Sequence, residues 1–134
     1  MDDRMTLTPM LFSSLADRVA SYCRDRGLSG VLTVCDLGQL TPAVFFSNIN
    51  RSSCVRIGVE GKRDLNYLAV AFSKLAVSVA HGTESGDERN IFGEVPYKGS
   101  YIDPSERFIY TFSGTSQEED LEIAKMAHQI HHSF

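Results

Sequence analysis

The chain is predicted to fold as α+β: a single domain spanning 1–134, with helices packed against an antiparallel sheet. Three observations predict it. Residues 8–26, 64–81 and 116–132 repeat apolar side chains at helical spacing. Short β-branched or aromatic runs fall between them, at residues 31–35, 40–46 and 107–112. The runs are joined by turn sequences such as Asp36-Leu37-Gly38-Gln39 and Asp103-Pro104-Ser105-Glu106, which are too short for anything but antiparallel neighbours.

The first helix begins with Thr8 as N-cap and Pro9 in the first turn, and Gly27 closes it. Leu11, Leu15, Val19 and Tyr22 share one face, widened by Phe12 and Ala16. Residues 31–35 form a strand and residues 40–46 return as a second one. Pro42 marks an edge or a strand start there, because proline cannot donate to a ladder. Residues 47–53 read as polar loop, and residues 54–59 as a third strand. The helix over 64–81 carries Leu65, Leu68, Ala69, Phe72, Leu75, Ala76 and Val79 as a wide apolar face. Short extended pieces are expected at 91–96 and 100–102, and a strand alternating Phe108, Tyr110 and Phe112 follows.

The final helix opens on Ser116-Gln117-Glu118-Glu119, a capping box in which the Ser116 hydroxyl takes the Glu119 amide and Glu119 reaches back. Leu121, Ala124, Met126 and Ala127 form its buried side. Its acidic first turn already occupies the positive end of the helix dipole, so phosphate cradling is excluded. Ser113-Gly114, just before it, is a strand-to-helix turn or a place where a ligand approaches the backbone.

Net charge is −4, with 13 basic and 17 acidic residues, which disfavours a phosphate-rich partner; no nucleic acid is expected. No run of about 18 apolar residues occurs, so no membrane span is expected. The acidic start, without a basic and then apolar segment, argues against a signal peptide. Cys23, Cys35 and Cys54 are odd in number and lack a C-x-x-C pair. They read as free buried thiols, hence a cytoplasmic location.

Four stretches resemble the GlcG/HbpS-like family, which includes the C-terminal domain of PduO-type proteins. Val34-Cys35-Asp36-Leu37-Gly38 is similar to its "V-V-D-x-G" turn, and Ala71-Phe72-Ser73-Lys74-Leu75-Ala76 to its "A-x-x-K-A" helix. Phe92-Gly93-Glu94-Val95-Pro96 is similar to its "G-G-[VI]-P" element. Phe112-Ser113-Gly114, with Asp120, Ile123 and Ala124, is similar to its "V-S-G-x-x-x-x-x-D-x-x-I-A" ending. The resemblance spans roughly residues 8–130. It implies an antiparallel α+β fold, homo-oligomers and, in several members, haem or corrinoid-related binding. The chain departs from the pattern at Phe92, at the extra Glu94 and in the bulky residues 107–112, where the family keeps small side chains. Bulk there would narrow a pocket.

The expected ligand site lies between the central helix and the sheet, near Lys74, His81, Gly93, Pro96 and Gly114, with haem as the implied cofactor and His81 as its axial contact. Lys74 on an apolar helix is either a snorkelling side chain or a buried cation. Cys35 and Cys54 are structural thiols in preference to soft metal ligands. His128, His131 and His132 fall at i, i+3 and i+4, a spacing that can hold a metal. The expected state is a solvated, frayed helix end, with no metal assigned. No catalytic triad or carboxylate pair is identifiable by spacing.

The function expected is a small-molecule-binding module. The alternatives are an accessory protein whose pocket is vestigial and whose surface recruits a partner enzyme, suggested by the bulk of Phe108, Tyr110 and Phe112, or an enzyme using Lys74 as a perturbed amine. A homo-oligomer is expected, with a dimer as its elementary contact, because the central helix is apolar around most of its circumference. The contact would use that helix or the aromatic strand at 108–112.

Overall fold

A computed structural model describes residues 6–51, 66–85 and 98–134. Helix α1 (Pro9–Asp25) leads into β1 (Gly30–Asp36) and β2 (Ala43–Ile49). Helix α2 (Tyr67–His81) follows, then β3 (Ser100–Ile102), β4 (Phe108–Ser113) and α3 (Gln117–His132). The four strands form one antiparallel sheet in the order β2-β1-β4-β3. Helices α1 and α3 cover one face and α2 the other. The predicted α+β class is the observed one. The expected pieces at 54–59 and 91–96 lie outside the described residues.

Each helix starts where a side chain satisfies an otherwise orphaned amide. The Thr8 hydroxyl accepts from the Leu11 N–H at 3.2 Å, and the Asn66 side chain from the Ala69 N–H at 3.2 Å. The Ser116 hydroxyl accepts from the Glu119 N–H at 3.2 Å, one half of the expected capping box. The Glu119 carboxylate is turned towards α1, where it accepts from the Tyr22 hydroxyl at 3.4 Å. Gly82 closes α2 with φ 67, donating to the Ser78 carbonyl at 2.9 Å.

Strand β1 is buried along its whole length because strands flank it on both sides and helices cover both of its faces. Leu32 and Val34 join Phe12, Leu15, Val19, Phe108, Tyr110, Phe112, Ile123 and Ala127 in the main core under α1 and α3. Val31 meets Ala71, and Cys35 meets Leu75 and Ile109, on the α2 side.

Three expectations need correcting. Strand β2 runs to Ile49, through residues read as polar loop. Its backbone pairs with β1 from Ala43↔Asp36 to Ile49↔Gly30, and ladder bonds at a sheet edge tolerate polar side chains. Helix α2 buries only part of its expected stripe, Leu75 with Leu68 half-buried, and Leu65 lies outside the described residues. It turns Ala71, Lys74, Leu75, Val77 and Ser78 inward and leaves Phe72 and Val79 exposed. Lys74 and Ser78 can face the sheet because both find partners there, which offsets the cost of burying them. The aromatic residues of β4, finally, are not a surface: Phe108, Tyr110 and Phe112 are buried, and β4 lies between β1 and β3.

Candidate functional site

Two clusters of polar side chains stand at opposite ends of β4. The first contains Lys74. Packed against the sheet and 1% exposed, its ammonium donates to the Phe112 carbonyl at 2.8 Å and to Asp120 Oδ2 at 2.9 Å. The other oxygen of Asp120 accepts the Thr115 N–H at 2.9 Å and the Thr115 hydroxyl at 2.7 Å. Both carboxylate oxygens are therefore engaged. Burial lowers the proton affinity of Lys74 and Asp120 opposes the shift, so the ion pair and its hydrogen bonds are what make a buried ammonium tolerable. Lys74 is the buried cation of the two readings, not a snorkelling one.

Gly99 and Gly114 are required around this pair. A Cβ on Gly99, whose φ is 138, would come within 2.5 Å of the Lys74 ammonium and 2.6 Å of the Phe112 carbonyl oxygen. Gly114, φ 151, would place a Cβ 2.3 Å from the Ser29 carbonyl oxygen and 2.5 Å from the Gly30 Cα. What approaches the Gly114 backbone is thus the start of β1.

A cleft of about 450 Å³ opens beside the pair, between α2 and the turn from β4 into α3. Tyr67 and Val70 supply its apolar wall, and Ser113, Gln117 and Glu118 its polar rim, with Lys74 and Asp120 at the base. Lys74 and Gly114 both line this cleft. His81 does not: it ends α2, seven residues beyond Lys74, or about 10 Å along the axis at 1.5 Å per residue. Gly93 and Pro96 lie outside the described residues. Asp120, Thr115 and Tyr67 are site residues that the sequence reading passed over. The aspartate was legible as the D of the last motif, but its buried partner was not.

The second cluster sits at the turn from β3 to β4 and the end of α3. Asp103 Oδ2 accepts the Ser105 N–H at 3.1 Å and the Ser105 hydroxyl, which fixes the carboxylate in the turn. Its Oδ1 faces two imidazoles, His128 Nε2 at 2.7 Å and His132 Nε2 at 3.2 Å. Burial acts to raise the Asp103 pKa, but the bonds from Ser105 and His128 outweigh it and hold the carboxyl below its ordinary value. The helix end is therefore packed, not frayed. His131 is buried with Nδ1 2.6 Å from the Tyr110 hydroxyl, and burial drives that phenol's pKa far up.

Asp36, of the turn motif, is wholly buried. Its oxygens accept from the Arg107 guanidinium at 2.9 and 3.2 Å, from the Gly38 N–H at 2.9 Å and from the Gln39 amide at 2.9 Å. Burial works to raise its pKa, and these donors, Arg107 foremost, overcome that and depress it. The Asp36–Gly38 motif is a structural clasp. Cys23 and Cys35 are buried free thiols; burial pushes Cys23 up to about 11 and raises Cys35 too, so neither is a ready thiolate. Cys54 lies outside the described residues. No described helix is long and apolar enough to cross a membrane. No family model, curated protein or solved structure matches the chain.

Proposed function

We propose that the chain is a cytoplasmic small-molecule-binding module of GlcG/HbpS-like type, and that its ligand occupies the cleft over the Lys74–Asp120 pair. The observation that carries this reading is the cleft itself: apolar on the Tyr67 and Val70 side, polar at Ser113, Gln117 and Glu118, and set on a rigid ion-paired base. The family reading draws support from the way two of its motif stretches meet, the lysine of one pairing with the aspartate of the other.

The chemistry of the walls narrows the ligand. Lys74 is already neutralised by Asp120, and Glu118 adds a carboxylate at the rim. An anion would find no unpaired cation among these residues. The ligand proposed is therefore neutral or cationic, with an apolar part against Tyr67 and Val70. Haem, the cofactor implied by the resemblance, loses its expected axial contact, because His81 stands away from the cleft; among the described lining residues no histidine, cysteine or methionine is present, and Tyr67 is the one side chain of a haem-ligating type. An enzyme built on Lys74 is disfavoured by the inaccessibility of its amine.

Native mass spectrometry of the chain purified from cells tests the proposal. A bound small molecule is expected, lost in Val70→Trp, which fills the cleft while the fold remains. Retention of the same molecule in that variant would overturn the placement. Addition of haemin is expected to give no saturable Soret shift; a shift abolished by His81→Ala would restore the haem version.

Homo-oligomerisation is proposed alongside, supported by the exposed Val44 and Phe46 of β2 and Phe72 and Val79 of α2, with Phe46 edge-on to Phe72 at 5.9 Å. The aromatic residues of β4 cannot form that contact, being buried in the core. Light scattering at micromolar concentration checks it. A particle at the 14.9 kDa monomer mass would remove the proposal.

A further inference from the structure

We propose that Asp103, His128 and His132 form a binding site for a divalent transition-metal ion of the zinc class, separate from the cleft and at the opposite end of β4. Two imidazole nitrogens, both Nε2, converge on one carboxylate oxygen, at 2.7 and 3.2 Å. One hydrogen bond would hold one ring on that oxygen. The second ring, its centroid 4.1 Å from the first, brings a further donor to the same point, and the three ligand atoms lie within 4.8 Å of one another. Donors around an ion bound at about 2.0–2.2 Å stand roughly 3.0–3.5 Å apart, so side-chain shifts on the order of 1 Å bring the cluster to coordination geometry.

The surroundings hold the carboxylate ligand by a hydrogen bond to its other oxygen, as metal sites do. Ser105 holds the far oxygen of Asp103, leaving Oδ1 aimed at the histidines. Tyr101 packs on the His128 ring at 5.0 Å. Spacing of i and i+4 on α3 puts His128 and His132 on one face, while His131 between them turns inward to Tyr110 and is no ligand. The site is buried at Asp103, 4% exposed, and opens through His132, 32% exposed, which gives an ion a way in and leaves a coordination position facing solvent. Two nitrogens and one oxygen suit zinc, nickel, copper or ferrous iron; calcium and magnesium prefer all-oxygen shells. On binding, each Nε2 presents its lone pair to the ion and its neutral ring keeps its proton on Nδ1, while the carboxylate charge offsets half of the ion's.

The test uses the full chain, stripped with chelator and titrated with zinc chloride by calorimetry, with cobalt(II) as a spectroscopic substitute. One saturable site per chain is expected, with cobalt bands of nitrogen and oxygen coordination. His132→Ala and Asp103→Asn are each expected to weaken zinc at least about tenfold, while His81→Ala leaves it unchanged. His132 is exposed at a helix end, so its variant keeps the fold even if Asp103→Asn does not. Absence of saturable zinc binding, unchanged affinity in His132→Ala, or a cobalt–thiolate band would overturn the proposal.

Discussion

The two ends of β4 each hold an aspartate fixed by its own turn and faced by cationic or basic side chains, yet they differ in what they can do. At the Gly114 end, Asp120 and Lys74 are 5% and 1% exposed, and both oxygens of Asp120 are used. Nothing further can enter, so that pair pins α2 and the start of α3 to the sheet and shapes the cleft from below. At the Asp103 end the carboxylate is as deep, but its partners grade from half-buried His128 to exposed His132. A shared motif, aspartate plus base, becomes structure where it is sealed and a reachable ligand set where one side is open.

The largest break in that comparison is expected from Lys74→Met. It leaves the buried Asp120 charge without its counter-ion and should cost about 3–5 kcal/mol, read by urea denaturation. Combining it with Asp120→Asn should recover part of that loss. A Lys74→Met chain as stable as the parent would mean the pair is no pin at all.

Gly114→Ala comes next. With φ 151 and the Ser29 carbonyl oxygen 2.3 Å from the new Cβ, β1 and β4 must separate, at a cost of roughly 2–3 kcal/mol. If calorimetric melting is instead unaffected, the close approach of β1 does not explain this glycine.

A smaller effect is expected from acid. Asp36 and Asp103 both titrate below their unfolded value of 3.8. Between the folded and unfolded pKa values the unfolded chain binds more protons. The stability they contribute is thus complete above about pH 4–5 and is lost as pH falls through the folded values. Asp36→Asn should flatten the stability curve below pH 4 in circular-dichroism melts, at the price of lower stability at neutral pH. An unchanged acid limb would show that other groups carry it.

The smallest effect sharpens the contrast. His132→Ala, without metal, should change stability by no more than about 0.5 kcal/mol, because an exposed imidazole at a helix end contributes little to folding. A loss of 2 kcal/mol or more would make the Asp103 end a pin like the other.

Most of the helix boundaries were legible because caps and periodicity are local. Thr8, Ser116 and Gly82 act within a few residues of themselves. The inward side of α2 was not. Its sequence offers Phe72 and Val79 as natural core residues, and the fold leaves both exposed and buries Lys74 and Ser78. That choice depends on Asp120 and Ser100, 46 and 22 residues away, which no pattern within the helix can register. Residues 47–49 were misread as loop for a similar reason: their place in β2 comes from pairing with β1.

The histidine spacing at the C-terminus was visible as i, i+3 and i+4. The separation of His131, sent to Tyr110, from His128 and His132, sent to Asp103, was not visible. By itself the sequence determined the α+β class, the three helices and the antiparallel hairpins, since periodicity, capping and turn chemistry are encoded in neighbouring residues. Tertiary structure alone decided which charges are sealed, which rings converge and which apolar residues stay outside. Burial and pairing of polar groups are set by partners that meet only when the sheet has closed and the helices have docked on it.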